Sequence, residues 1–218
     1  MKFFREGYFE WGKVEPRVWL QKWAELFLSS GERQGDNQVY ESLVRKTQLS
    51  GEDFEQIGRW KEGCIPRIGT EHGRWKRLTS AAFDVWMQAK ESPPQVPADK
   101  FSKDSARKFL LDWQERKFRK PVKGGRVQDT RFGLSRATAL LHFMSAGRFP
   151  IYDSFEWYAF RRMGTPLPWE VTVDVYLEKF CPLLCSVASR CCLTHSIEEL
   201  RKLDNALRCY GRRERKGC

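Results

Sequence analysis

The chain has 218 residues, of which 41% are hydrophobic and 14% aromatic, so it can bury a substantial core and is not disordered throughout. Its 39 basic against 28 acidic residues give a net charge of +11, which favours an anionic partner, nucleic acid first, over a merely solubilising surface. The sequence contains no run of 18 apolar residues, and we therefore expect no membrane-spanning helix.

The opening residues and the cysteines favour an unexported protein. Met1 is followed at once by charged residues rather than by the apolar core typical of a signal peptide. The chain has seven cysteines, an odd number, and six of them fall at or after Cys181. In an unexported chain they indicate reduced thiols, so we expect a soluble cytoplasmic protein.

Apolar residues recur at helical spacing along most of the chain and predict an all-α fold. Ser50 is typical of a helix N-cap, with Asp53 in the capping-box position that Glu usually fills. Residues 116–126 are strongly basic, but Pro121 and Gly124-Gly125 predict a loop there. Only Phe3 to Val14 is a candidate for extended structure, as a short ribbon. The predicted helices span residues 16–29, 36–49, a segment after Ser50, 71–90, 105–117, 169–191 and 196–211.

The Ser92-Pro93-Pro94 break predicts a division into two helical lobes with a cleft between them. The N-terminal lobe is residues 1–97 and the second lobe is residues 98–211. A basic tail, residues 212–218, is expected to be frayed. One compact domain is the alternative.

A glycine turn and the helix after it predict a phosphate-binding site. Gly133 allows positive φ, so the chain can reverse sharply there. Ser135 is then the expected N-cap, and Arg136 and Thr138 lie in the first helical turn. The first-turn amides lack intrahelical partners and carry the positive end of the helix dipole, which together suit a phosphate oxygen. An ordinary connection between two helices is the alternative interpretation.

One acid, Asp153, opens the next helix, which ends at Gly164. As an N-cap it is favoured in its ionised form, and an ionised carboxylate is also what a cationic transition state requires. Neighbouring Tyr152 and Trp157 offer a flat surface for an extruded base, although both also suit a hydrophobic core.

These residues resemble the helix-hairpin-helix (HhH-GPD) DNA glycosylase superfamily. Residues 132–139, Phe-Gly-Leu-Ser-Arg-Ala-Thr-Ala, fall on the family's hairpin, Leu-Pro-Gly-Val-Gly-Arg-Lys-Thr-Ala. Residues 150–154, Pro-Ile-Tyr-Asp-Ser, fall on the segment that carries the catalytic Asp, and residues 161–164 on the end of the helix after it. The resemblance covers about 35 residues. It implies a helix-hairpin-helix glycosylase fold and a catalytic role for Asp153.

Departures from the family pattern narrow the expected activity. Phe132 and Ser135 replace the hairpin's usual Pro and second Gly, which puts its grip on the DNA backbone in doubt. Ala137 stands where bifunctional members hold the Schiff-base Lys, so the resemblance implies a monofunctional glycosylase without lyase activity.

No cofactor is expected. The family's iron–sulfur cysteine pattern is missing, although the resemblance leaves room for a monovalent cation at the hairpin. Cys181, Cys185 and Cys192 can share a helix face as small apolar residues, and a zinc site with His195 is the alternative.

The sequence therefore predicts an enzyme that hydrolyses the N-glycosidic bond of a flipped-out modified base in double-stranded DNA and leaves an abasic site. The hairpin variant looks most like bacterial anti-phage glycosylases that remove glucosylated hydroxymethylcytosine; oxidised or alkylated repair substrates are the alternative. A non-catalytic DNA-binding module and a helical protein-interaction domain are rival hypotheses. The expected catalytic residue is Asp153, the base pocket holds Tyr152 and Trp157, and the DNA contacts are Gly133, Ser135, Arg136, Thr138, Arg131, Lys120 and Lys123.

Overall fold

A computed structural model describes residues 14–29, 34–46, 48–62, 80–91, 101–121, 127–165, 167–194 and 196–215. Within these ranges the chain is mostly helical, as the sequence predicts, and none of these helices is long and apolar enough to cross a lipid bilayer. The elements in chain order are α1 (Pro16–Ser29), α2 (Gln34–Val44), α3 (Gly51–Glu62), α4 (Ser80–Lys90), α5 (Lys103–Glu115), β1 (Lys117–Pro121), β2 (Val127–Arg131), α6 (Leu134–Met144), α7 (Ser154–Arg162), α8 (Val173–Val175), a π-helical turn (Tyr176–Phe180), α9 (Cys181–Arg190) and α10 (Ile197–Arg215).

The chain forms two compact units. One, here called the split unit, combines the residues up to Glu32 with those from Tyr152 onward. The other, the continuous unit, runs from Arg33 to Ile151. This division differs from the predicted lobes, because it groups α1 with the C-terminal helices rather than with α2 to α4. The predicted boundary near residue 97 lies outside the described residues.

An aromatic cluster forms the core of the continuous unit around Phe132. The Phe132 ring lies 4.9 Å from the ring of Trp86 on α4 and 5.2 Å from that of Trp113 on α5. All three side chains are almost fully buried. Because Phe132 directly precedes Gly133, this packing fixes the start of the turn that leads into α6.

In the split unit, α10 packs against both α1 and α7. Tyr210 receives the edges of Trp19 and Trp23, at centroid distances of 5.5 and 5.0 Å. One residue later, Gly211 brings α10 into backbone contact with α7, where a Cβ atom would lie 1.8 Å from the carbonyl oxygen of Phe155. The position of α10 therefore depends on the absence of a side chain at residue 211.

A two-stranded antiparallel ribbon was not expected from the sequence, which predicted a loop over residues 116–126. Strands β1 and β2 pair with Lys117 opposite Arg131 and Phe118 opposite Thr130. Long-range contacts stabilise the ribbon. The side-chain amide of Gln88 on α4 donates to the carbonyl of Arg119 at 2.7 Å and accepts from its N–H at 3.1 Å. Phe118 on β1 also reaches the aromatic cluster, with its ring 5.7 Å from that of Phe132.

Several helix boundaries also differ from the predicted ones. Helix α2 ends at Val44 rather than residue 49, and α5 ends at Glu115 rather than 117. Helix α10 continues to Arg215, so the tail from residue 212 is helical through 215 rather than frayed. The predicted ribbon at residues 3–14, apart from Val14, and the predicted helical residues 71–79 lie outside the described residues.

The capping box predicted at Ser50 is confirmed. The hydroxyl of Ser50 accepts from the N–H of Asp53 at 3.2 Å, and the Asp53 carboxylate accepts from the N–H of Ser50 at 2.8 Å. Burial raises the pKa of Asp53, but its bonds to Lys46 and Ser50 outweigh this effect and hold the pKa below 3.8.

Replacing Ser50 by Ala should lower the free energy of unfolding by about 1 kcal/mol, because α3 loses its cap.

The depressed pKa of Asp53 predicts a pH dependence of stability. It stabilises the fold at pH values above the ordinary pKa of 3.8, and this contribution is lost as the pH falls through the lower folded-state pKa. Urea titrations at pH 7 and pH 3 measure both effects. An Asp53→Asn variant should lose less unfolding free energy than the wild-type chain between pH 7 and pH 3. An equal loss in the two chains would contradict the role given to Asp53.

Candidate functional site

The turn at Gly133 has the conformation that the sequence predicts. Its φ is +80°, its N–H donates to the carbonyl of Gln114 at 3.1 Å, and its carbonyl accepts from the N–H of Ala137 at 3.1 Å. A Cβ atom would meet nothing within 4 Å, so φ rather than space requires the glycine.

Gly133, not Ser135, is the N-cap of α6. This helix begins at Leu134, which places Ser135 in the first turn, so the predicted N-cap at Ser135 is wrong. The cause is that Gly133 already supplies the first helical carbonyl. As a glycine it makes no side-chain bond to the first-turn amides, so the helix start has no side-chain cap.

The predicted DNA contact Arg136 is engaged within the continuous unit. Its Nε donates to Glu62 Oε1 at 2.6 Å, and its Nη1 donates to the carbonyl of Phe132 at 3.1 Å. The same Glu62 oxygen accepts from the indole N–H of Trp86 at 3.1 Å. These bonds tie the turn to α3, and a phosphate would have to compete with the carboxylate for this guanidinium.

The other predicted DNA contacts have different surroundings. Thr138 is fully buried and its hydroxyl donates to the carbonyl of Ser135 at 3.2 Å. Arg131 is exposed on β2 and forms an ion pair with Glu115 at 3.1 Å. The ribbon places Lys120 opposite Gln128, and Lys123 lies outside the described residues. Arg131 is thus the member of this set whose described side chain is both charged and open to solvent.

Asp153 is the N-cap of α7, as predicted. Its Oδ1 accepts from the N–H of Phe155 at 2.8 Å. Its Oδ2 lies 3.7 Å from Nη1 of Arg208, which α10 contributes. The Asp153 side chain is 14% exposed, so the carboxylate is largely desolvated and has a cationic neighbour while still reaching the surface.

Tyr152 and Trp157 belong to one aromatic cluster, but only Tyr152 has appreciable exposure. Trp157 is buried, and its indole N–H donates to the carbonyl of Pro168 at 3.0 Å. The Tyr152 ring meets Phe180 edge-on at 5.6 Å. Burial, with smaller effects from Asp153 and Glu156, raises the pKa of Tyr152 to about 12, so its phenol stays protonated at neutral pH. A half-buried neutral phenol thus lies next to Asp153 in the chain.

The structure brings the predicted residues into two separate groups. Tyr152, Asp153 and Trp157 lie together in the split unit, with Arg208 as an additional member. The hairpin residues lie in the continuous unit, with Glu62 as the additional member. Sequence reasoning missed Arg208 and Glu62 because each is one charged residue among many on an amphipathic helix.

Of the three cysteines predicted to share a helix face, Cys181 and Cys185 lie one turn apart on α9, but Cys192 is not on that helix. Helix α9 ends at Arg190, and Cys192 lies in the turn after it with a φ of +53°. Cys191 is the buried thiol, and burial raises its pKa to about 11. In the described ranges no group of three or more His, Cys, Asp or Glu side chains could hold a metal ion, and His195 lies outside them.

Chemically, the Asp153 group can hold an ionised carboxylate against a developing positive charge or accept a proton from water. The neighbouring phenol of Tyr152 can donate a hydrogen bond.

No protein-family model, curated protein or solved structure matches the chain.

Proposed function

We propose that the chain is a monofunctional DNA glycosylase with Asp153 as its catalytic residue. The observation that carries the proposal is the state of Asp153: an N-cap carboxylate, 14% exposed, with a guanidinium at 3.7 Å. The carboxylate is thus held by two partners, the Phe155 N–H and Arg208, and still reaches solvent. The net charge of +11 supports a polyanionic substrate, and double-stranded DNA with one nucleotide extruded is the proposed form.

In the proposed reaction, the bond between C1′ of the deoxyribose and the base nitrogen breaks, and its electron pair leaves with the base. The sugar acquires oxocarbenium character, which the Asp153 carboxylate stabilises. A water molecule attacks C1′ and gives a proton to Asp153. Asp153 later passes this proton to the departed base or to solvent. The products are the free base and an abasic site.

Arg208 is proposed as a positioning residue for Asp153. The guanidinium Nη1 of Arg208 lies 3.7 Å from Oδ2 of Asp153. The pair restricts the rotamers of a side chain that already bonds the Phe155 N–H.

The absence of an amine on the side chain of residue 137 supports base release without strand cleavage. The resemblance places the Schiff-base Lys of bifunctional glycosylases at this position, and the Ala137 side chain is fully buried on α6. No amine is therefore offered from this point of the hairpin. The chemistry proposed for Asp153 needs no cofactor.

For the excised base, glucosylated hydroxymethylcytosine of phage DNA is the leading proposal, in an antiviral role, and oxidised or alkylated bases are the alternative. A test offers normal, oxidised, alkylated and phage-modified duplexes in parallel. We expect one class to acquire alkali-labile sites while its strands stay intact before alkali treatment. Strand breaks without alkali would contradict the monofunctional assignment.

A non-catalytic DNA-binding module is the second candidate, favoured by the engagement of Arg136 with Glu62 in place of an open hairpin side chain. It predicts salt-dependent binding to every duplex and alkali-labile sites on none of them. Under either function, log affinity should fall with log salt by about 0.9 per phosphate contacted. A helical protein-interaction domain predicts no such dependence.

A further inference from the structure

Trp169 is the most exposed large hydrophobic side chain among the described residues, at 77% of its full area. The guanidinium carbon of Arg161 lies 3.3 Å from the centroid of its ring. The cation covers one face of the indole, and the exposed area shows that the opposite face is open to solvent. Tryptophan is seldom so exposed in a folded protein, since burying it is strongly favourable.

The indole is displayed by an anchored loop. Helix α7 ends at Arg162, and two residues later the N–H of Gly164 donates to the carbonyl of Arg161 at 3.1 Å. The N–H of Thr165 donates to the carbonyl of Phe160 at 3.2 Å. Further along, the carbonyl of Pro168 accepts the indole N–H of Trp157 at 3.0 Å. The backbone is therefore fixed to α7 directly before Trp169.

Arg161 is the charged residue that contacts the indole, and further charged residues lie near both in the chain. Arg161 and Arg162 close the last turn of α7, and exposed Glu170 follows Trp169 in the chain. A hydrophobic protein partner would require a contiguous apolar patch. An exposed indole with one guanidinium at its face suits a ligand that has a flat π-face and a negatively charged group attached nearby, which is the chemistry of a nucleotide.

We propose that Trp169 and Arg161 form a stacking site for an unpaired nucleobase, with the indole on the base and the guanidinium near the adjoining phosphate. The proposal rests on the proposed function for the identity of the strand. Arg161 and Asp153 stand on the same helix, eight residues apart, which is about 12 Å along the axis at 1.5 Å per residue. The base that stacks on Trp169 therefore belongs to a nucleotide a few positions along the DNA from the one whose base is released at Asp153.

The test uses the full chain and DNA that carries none of the oxidised, alkylated or glucosylated bases proposed as substrates, so that binding is measured without base release. Two labelled duplexes are compared by fluorescence anisotropy, one fully paired and one with a single unpaired 2-aminopurine. We expect Trp169→Ala to weaken binding of the unpaired form by roughly 5- to 150-fold, the range for loss of one base–aromatic stack, and to change the paired form by less than about twofold. The 2-aminopurine fluorescence should be quenched by the wild-type chain and not by the variant.

Matched variants separate stacking from other effects. Trp169→Phe should retain most of the preference, because it keeps a ring. Leu28→Ala, which removes an exposed apolar side chain of the same unit, should change nothing. Arg161→Gln should reduce the salt slope by about one phosphate, whereas Trp169→Ala should leave the slope unchanged.

An equal loss of affinity for both duplexes in Trp169→Ala, or no loss at all, would overturn the stacking site. So would a wild-type chain that binds neither duplex. A chain that binds and quenches as expected but releases no base from any modified DNA would leave the stacking site standing and refute the glycosylase proposal.

Discussion

Replacing Asp153 by Asn is expected to reduce base release by at least about 10²-fold while leaving DNA affinity unchanged or higher. The rate falls because the variant has no charge to place against the oxocarbenium ion and no group to take the proton of water. Affinity does not fall because the change removes a negative charge from a protein that binds a polyanion. Single-turnover base release, scored as alkali-labile sites, and anisotropy titrations measure the two quantities.

Asparagine is the appropriate replacement because it is as good an N-cap as aspartate. The variant keeps an acceptor for the N–H of Phe155, so α7 still begins at Ser154 and the fold is preserved. Asp112→Asn is the matched control: it makes the same change in net charge at an exposed residue of the continuous unit, where Asp112 pairs with Arg116. The control should release base at the wild-type rate, and wild-type activity in Asp153→Asn would refute the catalytic assignment.

Replacing Gly211 by Ala is expected to cost about 2–3 kcal/mol of unfolding free energy, near the upper end of the usual range for overpacking. The new Cβ atom would lie 1.8 Å from the carbonyl oxygen of Phe155 and 3.2 Å from the amide nitrogen of Ala159. Both are backbone atoms of α7, which cannot turn aside as a flexible side chain can. The clash must exceed the roughly 1 kcal/mol that alanine gains over glycine in a helix interior.

Thermal and urea denaturation measure this cost, and Gly51→Ala serves as the control. At Gly51 the new Cβ atom would lie 3.3 Å from Cε of Lys90, the far end of a flexible side chain, so little change is expected. Because Arg208 lies one turn from Gly211, displacement of α10 should also draw its guanidinium away from Asp153. Equal stability of the Gly211→Ala and wild-type chains would show that α10 does not depend on this close approach.

Features governed by neighbouring residues could be predicted from the sequence. Ser50 and Asp153 are caps because their side chains reach amides two or three residues away, and Gly133 has positive φ because the turn requires it there. These rules need no knowledge of the rest of the fold. The helical class follows in the same way from the spacing of apolar residues.

Features that depend on distant partners could not be predicted. The ribbon is stabilised by Gln88, 31 residues before Arg119, and nothing in the local pattern of β1 reveals that partner. The bond between Arg136 and Glu62 spans 74 positions. Arg208 shares its helix with several other basic residues, and only the packing of α10 on α7 selects it as the partner of Asp153.

The division of the chain has a consequence for the order of folding during synthesis. Every residue of the continuous unit has been made by the time Ile151 leaves the ribosome, so this unit can complete its core early. The split unit must wait for α10, because Trp19, Trp23 and Asp153 all find partners there. Until residues 197–215 emerge, Trp19 and Trp23 lack the ring of Tyr210 against which they pack. The carboxylate at Asp153 thus acquires its guanidinium only after α10 has been made.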